Sequence, residues 1–215
     1  MTKQEQCVNQ IAPYITKEAA KRGYKFAGMI IAQAALESAW GKSKLAAEYH
    51  NYFGLKCGGS WTGRSVNMTT KEEYTAGTLT TIKDNFRGYY TMEDGVKGYF
   101  DFIAAKRYAA AKNAESAEQF ISLIWNAGFA TSKRYVENVV TVYNNYNLKW
   151  YDALMSGNST PSVSAYEPET DPELEQAITY IAEQVIKGKF GTGHDHRAQE
   201  IYKLVRTKVN EIYKG

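Results

Sequence analysis

The chain has 215 residues, of which 44% are hydrophobic and 23% charged, with a formal net charge of +3; this describes an ordered globular protein and excludes a disordered or membrane-embedded one. Its two cysteines, Cys7 and Cys57, are too few for a disulfide framework or a zinc site, and both are expected to be free thiols in a reducing compartment. The opening MTKQEQCVNQ has neither the charged n-region nor the apolar h-region of a signal peptide, so cytoplasmic synthesis without membrane insertion is expected.

In chain order, apolar positions Val8, Ile11, Ile15 and Ala19 predict an amphipathic helix over Gln4–Arg22, ending near Gly23. A second helix is predicted over Phe26–Trp40; it carries one charge, Glu37, so most of its circumference should be buried, and Gly41 stands where it would stop. From His50 to Gly63 the texture changes to Gly, Asn and aromatic residues, and Val66–Phe86 alternates around Ala76-Gly77, which predicts a β-hairpin. Helical periodicity returns over Gly95–Ala111, Ala117–Ala127 and Arg134–Tyr146. Residues 153–172 are rich in Ser, Pro, Thr and acids and read as a flexible linker. A small helical module is expected over 173–215, with apolar faces such as Ile178, Ile181 and Val185. The fold class is therefore α+β and predominantly helical: a first domain over 1–152 with a small β-hairpin lobe, followed by a small C-terminal helical module.

Residues 1–152 hold 19 Lys and Arg against 14 Asp and Glu, a mild positive excess that suits an anionic polymer. No Lys/Arg cluster or nucleic-acid motif is present, so nucleic acid is not the expected partner. The 17 tyrosines offer flat apolar faces with a hydroxyl, suited to gripping a sugar chain and equally to filling amphipathic helices. No metal-ligand cluster, phosphate loop or nucleotide motif occurs in the sequence, and no cofactor or metal is expected.

Glu37, flanked by Ala35, Leu36 and Trp40, is costly to leave charged without partners, so its pKa should rise, as a general acid requires. Periodicity alone leaves a structural role open, a cap on a neighbouring element or an ion pair with a base such as Lys42 or Lys44. The wider pattern decides between them. Ala34 to Lys56 reads AALESAWGKSKLAAEYHNYFGLK, followed by Trp61-Thr62-Gly63, Thr70 to Tyr74, Phe86-Arg87-Gly88-Tyr89 and Gly128 to Tyr135. Together these resemble glycoside hydrolase family 73, bacterial autolysins, flagellar muramidases and phage lysins that act as endo-β-N-acetylglucosaminidases on peptidoglycan. Leu55 replaces the family's Ile, and Phe129 its first Tyr in the last motif.

The resemblance implies a lysozyme-like fold with Glu37 as general acid. It also implies a second carboxylate in a Thr-x-Glu-Tyr run, here best matched by Glu73 because Tyr74 follows it; Glu72 would face the other way in an extended strand. Tyr135 matches the family's Tyr and is expected to orient the acetamide or the water. Asn51, Tyr52 and Trp61 are expected to bind substrate, with Phe53 structural and Arg87 and Trp125 supporting the cleft. The expected partner is the peptidoglycan glycan strand, cleaved by a monomer that reaches the wall after release or by non-classical export. Residues 173–215 resemble the short wall-binding repeats of some phage lysins through Ile181-Ala182, Val185-Ile186, Gly188-Lys189-Phe190-Gly191 and Val209-Asn210, which implies a cell-wall polymer as their ligand.

Overall fold

The structure is a computed structural model that describes residues 2–75 and 78–155. Residues 76–77, where a turn is expected, and residues 156–215, which include most of the expected linker and all of the expected module, lie outside the described residues, as do the side chains of residues 70–79 and of Leu154.

Helix α1 spans Lys3–Arg22. Thr2 and Glu5 form a reciprocal capping box: the Glu5 backbone N–H donates to Thr2 Oγ1 and the Thr2 N–H to Glu5 Oε2. Gly23, at φ 73°, closes the other end in the left-handed conformation that glycine adopts without strain. The apolar face read from the sequence is the buried one, with Val8, Ile11, Ile15 and Ala19 all in the core.

Helix α2, Ala27–Glu37, is buried from Ala27 through Ala35 and packs against four other helices: α1, α5 (Ala117–Asn126), α6 (Tyr135–Asn145) and α7 (Lys149–Met155). It stops three residues before the predicted Trp40. Ala39 and Trp40 enter the left-handed region at φ 49° and 60°, followed by Gly41 at 74°. For the two non-glycine residues this conformation is costly. The turn is held by the Gly41 N–H donating to Ser38 Oγ at 2.8 Å and by Trp40 packing on Tyr146 with centroids 4.5 Å apart.

Phe26 precedes α2 and has no side-chain oxygen with which to cap it. Asp152 of α7 does so from 124 residues away, its Oδ1 accepting the Gly28 N–H at 2.6 Å while Oδ2 accepts the Tyr143 hydroxyl at 2.6 Å. Gly28 is required by close approach: a Cβ there would lie 2.0 Å from the Leu148 carbonyl oxygen. Helix α7 runs through Met155, so ordered helix continues past the expected start of the linker at 153.

Two short elements were not anticipated, α7 and α3 (Lys44–Tyr49), the latter capped by Ser43 Oγ accepting from Ala46 N. The helix expected over Gly95–Ala111 is two elements. Helix α4 covers Met92–Ile103 and starts at Thr91, whose hydroxyl accepts from Asp94 N; a 3₁₀ helix covers Lys106–Asn113 after Ala105 turns extended. An Ala-rich run supports either geometry, and the break lets Tyr108 and Ala111 face the core.

Strands β1 (Ser65–Thr75) and β2 (Thr78–Arg87) form the two-stranded antiparallel sheet, in register from Ser65↔Arg87 to Glu72↔Thr80. A register shift lies between Glu72 and Thr75. The described architecture is the α+β, mainly helical one expected, and among the described residues no helix is long and apolar enough to cross a membrane.

Burial raises the Asp152 carboxyl to about 6 from 3.8, against the lowering effect of its hydrogen bonds from Tyr143 and Gly28. The native state thus holds this proton more tightly than the unfolded chain, a contribution fully present below pH 3.8 and lost as pH rises through about 6, at about 1.4 kcal/mol per pH unit within that window. Asp152→Asn is expected to flatten this part of the stability profile in urea melts between about pH 4 and about pH 7. Asp152→Ala should cost about 1–3 kcal/mol, because the Gly28 N–H loses its acceptor in a buried place.

Candidate active site

Glu37 ends α2, where the helix leaves the core, and its half-buried carboxylate enters a cleft of about 720 Å³. One wall is the loop after α3. Gly54 holds φ 64° there, and a Cβ on it would sit 3.5 Å from Glu37 Oε2, so the loop backbone runs directly under the carboxylate. The opposite wall is the Gly128–Ser132 segment leading to Tyr135. Thr69 and Phe86, on β1 and β2, and Phe102 on α4 complete it.

A chain of buried polar groups reaches Glu37 from the core. Tyr99 donates to Gln33 Oε1 at 2.5 Å, and Gln33 Nε2 donates to the Tyr135 hydroxyl at 2.8 Å. That hydroxyl, which accepts from Gln33, in turn donates to the Glu37 side chain. Every donor in the series therefore points towards Glu37. Burial, and then the Glu37 charge, push the Tyr135 phenol well above its ordinary value, so it stays protonated and remains a donor. Gln33 is fully buried and Tyr99 likewise, the latter stacked on Phe53 with centroids 3.8 Å apart.

The structure brings Glu37 and Tyr135 together in the cleft, and Asn51, Tyr52 and Trp61 have their described contacts outside its lining. Asn51 is buried, and its amide closes the loop: Nδ2 donates to the Leu55 and Arg87 carbonyls, and Oδ1 accepts the Leu55 N–H, all at 2.9 Å. Tyr52 borders a separate depression of about 240 Å³ with Cys7, Trp40 and Lys42. Trp61 donates from Nε1 to the Arg64 carbonyl and lies under the Arg87 guanidinium, 4.7 Å from its ring centroid. None of these three is among the described residues that line the cleft. The Glu73 side chain lies outside the described residues. Phe53 lines the cleft and is 1% exposed, Arg87 lines it too, and Trp125 packs at the edge of the core.

Gln33 and Tyr99 did not stand out in the sequence. A single amide in the otherwise apolar stretch Ala27–Leu36 was the available signal, since a buried polar group demands a partner. Both cysteines are free and buried, and no group of three His, Cys, Asp or Glu residues suited to a metal occurs among the described residues.

Gln33→Leu is expected to strip the partners from both tyrosine hydroxyls, lowering stability by about 1–3 kcal/mol in a urea melt. If hydrolysis depends on the Tyr135 donor, the same variant loses kcat by up to about 10²-fold with little change in KM, because the carboxylate keeps its place but loses its fixed orientation. An unchanged kcat in a folded Gln33→Leu would separate the buried chain from the chemistry.

Comparison with known proteins extends these findings. Over 119 residues the chain is 35% identical to the peptidoglycan hydrolase FlgJ of Escherichia coli K12, covering 53% of this chain and 38% of that protein. It is 32% identical over 128 residues to the exo-glucosaminidase LytG of Bacillus subtilis, covering 57% and 44%. The chain thus spans less than half the length of these relatives. Among solved structures, the catalytic domain of the autolysin Auto from Listeria monocytogenes superposes with a TM-score of 0.59 at 28% identity, covering 70% of this chain and 88% of that one. A peptidoglycan hydrolase mutant from Sphingomonas sp. A1 gives 0.60 at 30% identity, covering 70% and 98%. Residues 12–148, which hold Glu37, Gln33, Tyr99 and Tyr135, match the glucosaminidase family model, described as mannosyl-glycoprotein endo-β-N-acetylglucosaminidase, and the chain belongs to that family.

Proposed function

We propose that the chain is a peptidoglycan hydrolase, an endo-β-N-acetylglucosaminidase that cleaves the β-1,4 bond after N-acetylglucosamine, with Glu37 as general acid. The observation that carries this reading is a half-buried carboxylate in an open cleft, held by a phenol that stays protonated. Glycoside hydrolysis needs a proton at the leaving oxygen as the bond to the anomeric carbon breaks. A carboxyl whose one oxygen accepts from Tyr135 keeps the other to carry that proton into the cleft. Hydrolysis then ends with water at the anomeric carbon, activated by Glu73 or preceded by attack of the substrate's own acetamido group.

The family membership and the names of the similar proteins, which act on peptidoglycan or on glucosaminides, support the substrate class. Residues 173–215 are proposed to hold the enzyme on a cell-wall polymer, a reading supported by their sequence resemblance to wall-binding repeats. A second weak contact joined through a linker raises retention on a repetitive polymer.

Digestion of purified peptidoglycan, read by mass spectrometry, is expected to yield fragments with N-acetylglucosamine at a normal reducing end. Anhydro products, lighter by one water, would instead mark a transglycosylase. Glu37→Gln should keep the fold and lose at least about a hundredfold in rate, the lower range for general acid catalysis. Near-wild-type turnover would remove Glu37 from the mechanism. Glu73→Gln and Glu72→Gln, measured side by side, identify the second carboxylate by the larger loss. Residues 173–215 fused to a fluorescent reporter should sediment with purified walls, and a fusion that stays in solution at both low and high salt would refute the wall-binding role.

A further inference from the structure

We propose that Arg87 and Arg107 form a subsite for a carboxylate carried by the glycan strand. The inference rests on the reading of this cleft as the site of glycan cleavage. Both arginines line it. Both guanidiniums lie against the same ring, Phe102, at 5.2 and 5.3 Å from its centroid, and each has a second aromatic contact: Arg87 on Trp61 at 4.7 Å and Arg107 on Tyr108 at 4.6 Å. Arg87 is further fixed by Nε donating to the Lys56 carbonyl at 3.1 Å.

The other cations of the cleft are matched by acids, Lys56 by Asp84 at 3.0 Å and Lys44 by Glu48 at 4.0 Å. Among the described residues no carboxylate lies within ion-pair distance of Arg87 or Arg107, although two like charges gathered on one ring repel each other unless an anion joins them. Aromatic contact occupies the faces of a guanidinium and leaves its planar edge of N–H donors, which matches the two oxygens of a carboxylate. Among the described residues the cleft therefore offers a substrate two arginines that have no acid partner.

A peptidoglycan strand supplies the complementary group. Alternate sugars carry a lactyl ether whose carboxyl is either free or joined to a peptide that brings carboxylates of its own. The shared chemistry is a planar carboxylate held close to the sugar chain, and the two sources are separable by experiment. The subsite explains how a cleft that cuts a glycan would prefer strands bearing acidic substituents over neutral polymers of N-acetylglucosamine.

The test uses the full chain and three substrates: intact peptidoglycan, strands stripped of their peptides, and stripped strands with the lactyl carboxylates converted to methylamides. The wild type is expected to show kcat/KM roughly tenfold higher on stripped strands than on their amides, the scale of one charge-assisted hydrogen bond. Arg107→Gln, at an exposed position where folding is not at stake, should bring this ratio to within about twofold of unity, with Arg107→Lys between the two because a point charge lacks the fork. Lys106→Gln, an exposed neighbour outside the cleft lining, should keep the wild-type ratio. A preference seen only on peptide-bearing strands and lost in Arg107→Gln would assign the stem peptide as the source. Cleavage of all three substrates at equal kcat/KM, or a preference that survives Arg107→Gln, overturns the subsite and leaves the glycosidase reading standing. Cleavage of none would sink both.

Discussion

Helix α2 is surrounded by protein over nearly its whole length, and a helix in that position has no water to satisfy its polar groups. Each one must find a partner on another element. Its N-terminus finds Asp152, and its single buried amide, Gln33, finds Tyr99 and Tyr135. These contacts join α2 to α7, α4 and α6, and they set the orientation of the helix that carries Glu37. The acid sits at the last helical position, where the buried run of Ala27–Ala35 has ended and the cleft begins. Burial upstream and exposure at the tip together give a carboxylate with a rigid support and an open face.

The loop opposite shows the same economy in another form. Asn51 mimics a strand partner, its amide bonding two carbonyls and one N–H, and the segment is stitched to β2 by Cys57 N–H to Asn85 O at 2.8 Å and Arg87 N–H to Leu55 O at 2.9 Å. Gly54 then takes under Glu37 the left-handed conformation that glycine adopts without strain. Through these bonds the hairpin anchors the loop, and it brings Thr69, Phe86 and Arg87 to the cleft. A floor tied down this thoroughly is ordered before any ligand arrives, so binding does not have to supply that ordering.

Much of this was legible in the sequence. The buried stripe of α1, the lone charge of α2, the hairpin and the α5 and α6 periods follow from apolar spacing, which tertiary packing reinforces. What escaped is set by long-range contact. The end of α2 was placed at Trp40 because Ser38, Ala39 and Trp40 are acceptable helix residues, and only the packing of Trp40 on Tyr146 and the Ser38 hydroxyl reveal the left-handed turn. Asp152 read as the last residue before a linker, since nothing local marks an acid whose partner is 124 positions away. Asn51 and Tyr52 lie in a loop that borders the cleft, yet a motif cannot say which of its side chains turn inward. The Glu37–Tyr135 pair was reachable through resemblance, while Gln33 and Tyr99 required the geometry.

The separations across α2 have a consequence for how the molecule comes into being. The chain is made from its N-terminus, and α2 leaves the ribosome long before the residues that complete it: Tyr135 lies 102 positions after Gln33, and Asp152 lies 124 after Gly28. Contacts so distant in sequence carry the entropy of closing a long loop and form late. Until α6 and α7 have emerged, an apolar helix with unsatisfied polar groups waits for its partners, and Glu37 lacks the phenol that orients it. The order of synthesis therefore withholds a finished cleft from incomplete chains, and a nascent fragment of the domain has the residues of the candidate site without their arrangement.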